Sequence, residues 1–346
     1  MTRSAFLIYA NRSGSTLLSA QLSKRIAPER LLVVPEFRLI EYLFHIGDAR
    51  ARRLGLSEIQ SMIDDDRQIT ANLGLSSREL VAALQPTIGE GTAVKLHSLL
   101  RAYTARSSLA AEPEVVLWKW GNAATYVDGI KEVFPDASFV HVIRDARAVV
   151  NSLLTTESPY FPGEDLGRGS TLYAVHHWKS SLRRNGRPGR AGLPQIDVRY
   201  FDLVRAPEQV CRRVAALLDL GTDDQRDLVG GGFRISETEK RIHRLVEESP
   251  RTERIEGWRT ELAEWRRYVV ERAVGSELEA LGYEVSPPDA TRVERLLWLG
   301  RAQVERVTGF SHWVFRRLRR YGARLTIRLF RLRMKAWLAT RRTQGS

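Results

Sequence analysis

Residues 6–22, FLIYANRSGSTLLSAQL, constrain the fold of this chain more than any other stretch. An apolar run of strand character meets a short polar crossing built around Gly14, and an apolar stretch of helix character follows from Ser15. A strand that turns sharply through residues 11–16 into a helix aims backbone N–H groups and the positive end of the helix dipole at one point, which makes an anion site. Gly14 lets the backbone approach a ligand with no Cβ in the way. The hydroxyls of Ser13, Ser15 and Thr16 cap the helix or bond ligand oxygens. A plain strand, turn and helix has the same look. A nucleoside-triphosphatase P-loop does not, because the first glycine and the lysine of G-x-x-x-x-G-K-[ST] are both missing.

The same rhythm recurs downstream. Strand-like runs fall at residues 4–10, 30–35, 92–97, 114–120, 137–144 and 195–201. Helix-like stretches separate them, among them 15–26, 124–134, 146–154, 207–220 and 261–282, the last closed by Gly282. Residues 37–92 read as mainly helical, and 155–192 as loops around one helix. Such alternation predicts an α/β fold with a central parallel sheet covered by helices. The lone cysteine, Cys211, excludes an intramolecular disulfide and a cysteine-based metal cluster, and its helical surroundings predict core packing. Arg3 leads straight into the first strand, so no secretory leader is expected, and no window reaches the roughly 18 apolar residues of a membrane span.

The net charge of +13 is a property of one end of the chain. Residues 301–346 hold thirteen Lys and Arg against one acid, Glu305, which places +12 there. Phe310, Val314, Leu318, Tyr321, Leu325, Leu329, Leu332 and Ala336 recur at spacings of three and four, so they share one helical face with arginines around it. Two readings fit this amphipathic helix. It packs on its own domain or a second subunit, or it lies on an anionic membrane surface through residues 310–340 with Trp313 and Trp337 at the interface. The second reading predicts a cytoplasmic protein peripheral to the inner face of a membrane, with a lipid-linked acceptor. Nucleic acid is not expected as a partner.

Two motifs carry a family resemblance. RSGSTLL at 12–18, after an N-terminal strand, resembles the 5′-phosphosulfate loop of the sulfotransferases that use 3′-phosphoadenosine 5′-phosphosulfate (PAPS). FVHVIRDARAVVNSLL at 139–154 resembles their 3′-phosphate motif, with Arg144 followed eight residues later by Ser152. An arginine at a strand end and a hydroxyl two turns into the next helix can converge on one phosphate. The resemblance spans residues 4–285 and is similar in kind to the tyrosylprotein and bacterial carbohydrate enzymes. It implies a three-layer fold like that of the P-loop NTPases over residues 1–286, with a basic helical extension over 287–346 after the Pro287–Pro288 pair.

What the resemblance implies for function is specific. The reaction is in-line transfer of a sulfonate from PAPS to a hydroxyl or amine of a carbohydrate, glycolipid or small molecule, with no metal. Glu36, in LLVVPEF, takes the place of the base; Lys119, in VVLWKWGNA, assists the departing phosphate; Arg12 with the loop amides of Ser13, Gly14, Ser15 and Thr16 holds the sulfonate and 5′-phosphate. Tyr200 is an adenine neighbour, although Phe201 stands where an acid is common. Arg251, in RTERIEGWRTEL, is brought towards the 3′-phosphate, although Thr252 and Glu253 replace the usual lysine and glycine. His97, at the end of AVKLH, is the second candidate base. Two other classes remain open: a nucleotide-dependent kinase on the same scaffold, and a membrane-surface adaptor with a degenerate nucleotide fold. The acceptor pocket is expected from residues 37–118 and 155–192.

Overall fold

Near-continuous apolar runs let a parallel sheet bury both of its faces, and four of its five short strands are built this way, the fifth lying at an edge. The computed structural model describes residues 2–65, 72–106, 112–158, 163–221 and 252–342. Strands β1 (Arg3–Tyr9), β2 (Leu31–Val34), β3 (Val115–Lys119), β4 (Ser138–Ile143) and β5 (Gln195–Arg199) pair in the order β2-β3-β1-β4-β5. Every pairing is parallel. Phe6, Ile8, Leu32, Val34, Val116, Trp118 and Phe139 face one core; Ala5, Leu7, Tyr9, Val33, Leu117, Val140 and Val142 face the other. Cys211 is fully buried in the second of these cores. The fold class expected from the sequence is thus the one observed.

The chain forms two units, each discontinuous in sequence: Met1–Arg144 with Ser181–Ile255, and Asp145–Ser180 with Glu256–Ser346. The sheet belongs to the first unit. The boundary read at Pro287 and Pro288 falls inside the second.

One expected strand is a helix. Residues 92–97 open the helix Thr92–Arg106, whose buried positions Thr92, Lys95, Leu96, Leu99, Leu100 and Tyr103 follow the three-and-four spacing. The short run AVKLH fits either period, and the longer window decides for the helix. Lys95 completes it: its buried ammonium donates to the carbonyls of Thr87 and Glu90, both at 2.6 Å. His97 is therefore not at a strand end. It is exposed on this helix and pairs with Glu112 at 3.3 Å.

In the second unit the helix Ala146–Thr155 is capped by Asp145, whose carboxylate accepts from the Arg147 backbone N–H at 2.8 Å. Arg147 is buried between two carboxylates, donating to Asp145 Oδ2 at 2.7 Å and Glu271 Oε1 at 2.6 Å, with Trp258 against its guanidinium 3.9 Å from the ring centre. The helix Glu264–Ala280 stops before Gly282, which takes φ +80°. The last helix runs over Arg292–Arg342. Among the described residues no helix is long and apolar enough to cross a membrane.

Candidate active site

The carboxyl ends of open parallel strands are where such sheets bind ligands, and here five of them present chemistry at one edge. The crossing after β1 carries residues 10–14. Arg12 takes φ +71° and Gly14 φ +99°, two left-handed residues that turn the chain into the helix Ser15–Arg25. For Arg12 this conformation costs about 1–2 kcal/mol, a strain of the kind that gathers at ligand sites. Gly14 is required twice over, by its φ and because a Cβ there would collide with the Tyr200 ring. The Ser13 hydroxyl is buried and finds no hydrogen-bond partner among the described residues.

Arg144 follows β4 directly and lies along the same crossing. It donates to the Arg12 carbonyl at 3.1 Å and to the Arg254 carbonyl at 2.9 Å, and its guanidinium sits 4.2 Å from the centre of the Tyr200 ring. Tyr200 itself opens the short helix that continues from β5. Arg12, Arg144 and Arg254 thus gather around one loop. Burial, and then the charges of Arg144 and Arg254, push the Arg12 guanidinium down to about 10, with Tyr200 opposing them. A site that makes a cation this uncomfortable is complementary to an anion.

On the other side of β1 the chemistry changes. Tyr9, its last residue, donates its hydroxyl hydrogen to Glu36 Oε2 at 3.0 Å. Asn72 holds the backbone of the same glutamate, donating from Nδ2 to the Glu36 carbonyl at 2.7 Å. Lys119, which ends β3 and is 3% exposed, places its ammonium 5.9 Å from the centre of the Tyr9 ring. A carboxylate and a buried ammonium therefore flank one tyrosine, two residues before the anion loop begins to turn.

Of the residues singled out in the sequence, Arg12, Ser13, Gly14, Ser15, Thr16, Glu36, Lys119, Arg144 and Tyr200 all lie at this edge of the sheet. Ser152 stands in the helix Ala146–Thr155 of the second unit. Arg251 lies outside the described residues. Arg254, three residues later in the sequence, is described, and its charge reaches Arg12. Tyr9 and Asn72 carry no motif; the only sequence signal for Tyr9 is a polar-tipped aromatic at the end of a buried strand. Among the described residues no group of three His, Cys, Asp or Glu is placed to hold a metal ion.

Comparison with known proteins identifies the family. The sequence profile of the sulfotransferase family matches residues 5–224. The chain belongs to the sulfotransferase family. Protein-tyrosine sulfotransferase A of Caenorhabditis elegans is 28% identical over 125 residues, 34% of this chain and 32% of its own. Two further relatives, from Caenorhabditis elegans and Caenorhabditis briggsae, are 29% and 26% identical over the same length, which is 46% and 42% of their chains. The matched stretch thus spans less than half of each of these relatives. Among solved structures, the sulfotransferase domain from the curacin biosynthetic pathway superposes with a TM-score of 0.52 at 18% identity, covering 83% of this chain and 99% of that one. The sulfotransferase domain of a Synechococcus olefin synthase gives 0.53 at 20% identity, covering 82% and 96%. At such identities the likeness is one of fold.

Proposed function

We propose that this sulfotransferase-family chain moves a sulfonate from PAPS to an acceptor hydroxyl, releasing adenosine 3′,5′-bisphosphate. The observation that carries the reading is the gathering of Arg12, Arg144 and Arg254 around the Gly14 crossing, with Glu36 hydrogen-bonded to Tyr9 and Lys119 near the same ring at that sheet edge. The residues fit a doubly phosphorylated donor on their own chemistry: a glycine in the turn that no other residue could replace without striking Tyr200, a buried serine hydroxyl in want of a partner among the described residues, and guanidinium donors suited to phosphate.

The roles follow from charge flow. As the acceptor oxygen bonds to sulfur, Glu36 takes the hydroxyl proton. As the bond between sulfur and the bridging oxygen breaks, Lys119 neutralises the charge left on the departing phosphate. Arg12 and the amides of residues 13–16 hold the 5′-phosphate and sulfonate, while Arg144 and Arg254 serve the 3′-phosphate. Tyr200, stacked on Arg144, is proposed beside the adenine. The Ser152 hydroxyl is proposed as a further phosphate ligand, which Ser152→Ala tests by bisphosphate titration. Positioning and electrostatic stabilisation supply the catalysis, as in phosphoryl transfer.

Relatives named as protein-tyrosine sulfotransferases support a phenolic hydroxyl as the acceptor. Carbohydrate and glycolipid hydroxyls belong in the same panel. The test is an assay with labelled PAPS over phenolic, tyrosyl-peptide, carbohydrate and glycolipid acceptors. General-base help is worth about 10²–10⁴ in rate, so Glu36→Gln loses that much of kcat while bisphosphate affinity holds. Label transfer by Glu36→Gln at the wild-type rate removes the base assignment. Label transfer from γ-labelled ATP instead of PAPS makes the chain a kinase and overturns the reading.

A further inference from the structure

The helix Arg292–Arg342 has two apolar faces, and among the described residues only one of them is packed. Its packed face carries Trp298, Ala302, Glu305, Gly309 and Trp313, recurring at three and four residues. Trp298 and Ala302 pack with Trp265, Tyr268 and Val269. Glu305 accepts from the Thr171 hydroxyl at 2.9 Å and from Arg266 at 2.8 Å. Gly309 lies so close to the Arg168 carbonyl that a Cβ would collide with it, and Trp313 lies 4.3 Å beneath the Arg168 guanidinium. The opposite face carries Val293, Leu296, Leu297, Val304, Val307, Phe315 and Leu318, which are between 39% and 70% exposed. At 100° per residue these side chains centre about half a turn away from the packed set. Gly300 and Ser311 complete the stripe, and no charged residue interrupts it between Val293 and Leu318.

An apolar stripe of this length facing solvent marks a binding surface. Its charge surroundings select the occupant. Residues 301–346 hold thirteen Lys and Arg, and their single acid, Glu305, is already engaged by Thr171 and Arg266. Laying this face on a second copy would bring two like-charged helices together, whereas an anionic surface gains from every arginine. The helical backbone continues to Arg342, and in the sequence the stripe continues through Leu325, Leu329 and Leu332, whose side chains lie outside those described.

We infer that the face made by Val293, Leu297, Val304, Val307 and Leu318 docks in the headgroup region of an anionic lipid bilayer, with the helix lying along the surface while the opposite face stays packed on its own unit. Apolar burial and arginine-to-headgroup attraction act together, as in other interfacial helices. Val304 and Val307, at 63% and 64% exposure, contribute to the stripe without holding the fold.

Vesicle flotation of the full chain tests this with no donor or acceptor present, so its failure leaves sulfonate transfer untouched. The wild-type chain is expected to float with vesicles of phosphatidylcholine and phosphatidylglycerol, to stay below with phosphatidylcholine alone, and to be released as salt rises. V304E/V307E should lose at least about tenfold in partitioning, since each change replaces buried apolar surface by a charge that anionic lipid repels. Its circular dichroism and melting temperature should match wild type. The inference fails if wild type ignores anionic vesicles, or if the double variant floats as well as wild type. It also fails if light scattering shows a lipid-independent dimer that V304E/V307E dissociates, because the stripe then serves a second copy.

Discussion

A buried arginine and a half-buried one in this molecule live in opposite electrostatic worlds. Arg147, in the second unit, loses by burial but gains more from the hydrogen bonds and charges of Asp145 and Glu271, so its guanidinium is held above its ordinary value. Arg12, at the edge of the sheet, is pushed down to about 10 by burial together with Arg144 and Arg254. The first is a charge the fold neutralises for itself. The second is a charge the fold concentrates, at a cost in stability that an arriving anion relieves. A buried cation offset by carboxylates marks structure, and one crowded by other cations marks a ligand site.

Substitution at the two positions should therefore separate stability from binding. Arg147→Met strands two buried carboxylates, and chemical denaturation should record a loss of about 3–5 kcal/mol. Arg12→Met should leave the melting temperature of the ligand-free protein equal or higher, because it removes repulsion, while adenosine 3′,5′-bisphosphate affinity falls about 10- to 100-fold in calorimetry. A drop in ligand-free stability at Arg12 as large as that at Arg147 would break the comparison. Gly14→Ala sharpens it from the steric side: a Cβ against Tyr200 in a left-handed turn should weaken bisphosphate binding about tenfold with little effect on Arg147 and its partners. The smallest effect is expected at Tyr9→Phe. Losing its hydrogen bond to Glu36 should lower kcat by about tenfold or less and shift the acid limb of the pH–rate profile upwards, with bisphosphate affinity unchanged.

The half of the site that could be read from sequence is the half built from local signals. Gly14 between two hydroxyl residues, Arg144 at the end of FVHVIR and Lys119 at the end of VVLWK each follow a buried apolar run, and a parallel sheet brings such ends to one edge. Glu36, two residues beyond β2, is legible for the same reason. What was hidden depends on contacts far apart in sequence. Asn72 reaches Glu36 from a segment with no motif, and Tyr9 looks like a core aromatic until its hydroxyl is seen on the carboxylate. Arg251 and Arg254 stand three residues apart in RTERIEG, so the pattern identifies the segment but not which arginine is spent on the site. The misread strand at 92–97 shows the same limit: six residues cannot distinguish a period of 2 from one of 3.6, and the buried Lys95 ammonium gave no hint of the carbonyls that receive it.

The central claim is that the crossing after β1 and the arginines beside it bind a nucleotide phosphorylated at both the 3′ and 5′ positions. Calorimetric titration of the full chain with adenosine 3′,5′-bisphosphate, alongside ATP and adenosine 5′-monophosphate, tests it most directly. The account predicts saturable binding of the bisphosphate, much weaker binding of the other two, and loss of that preference in Arg144→Ala. Equal affinity for all three nucleotides, or a preference that survives Arg144→Ala, would contradict it.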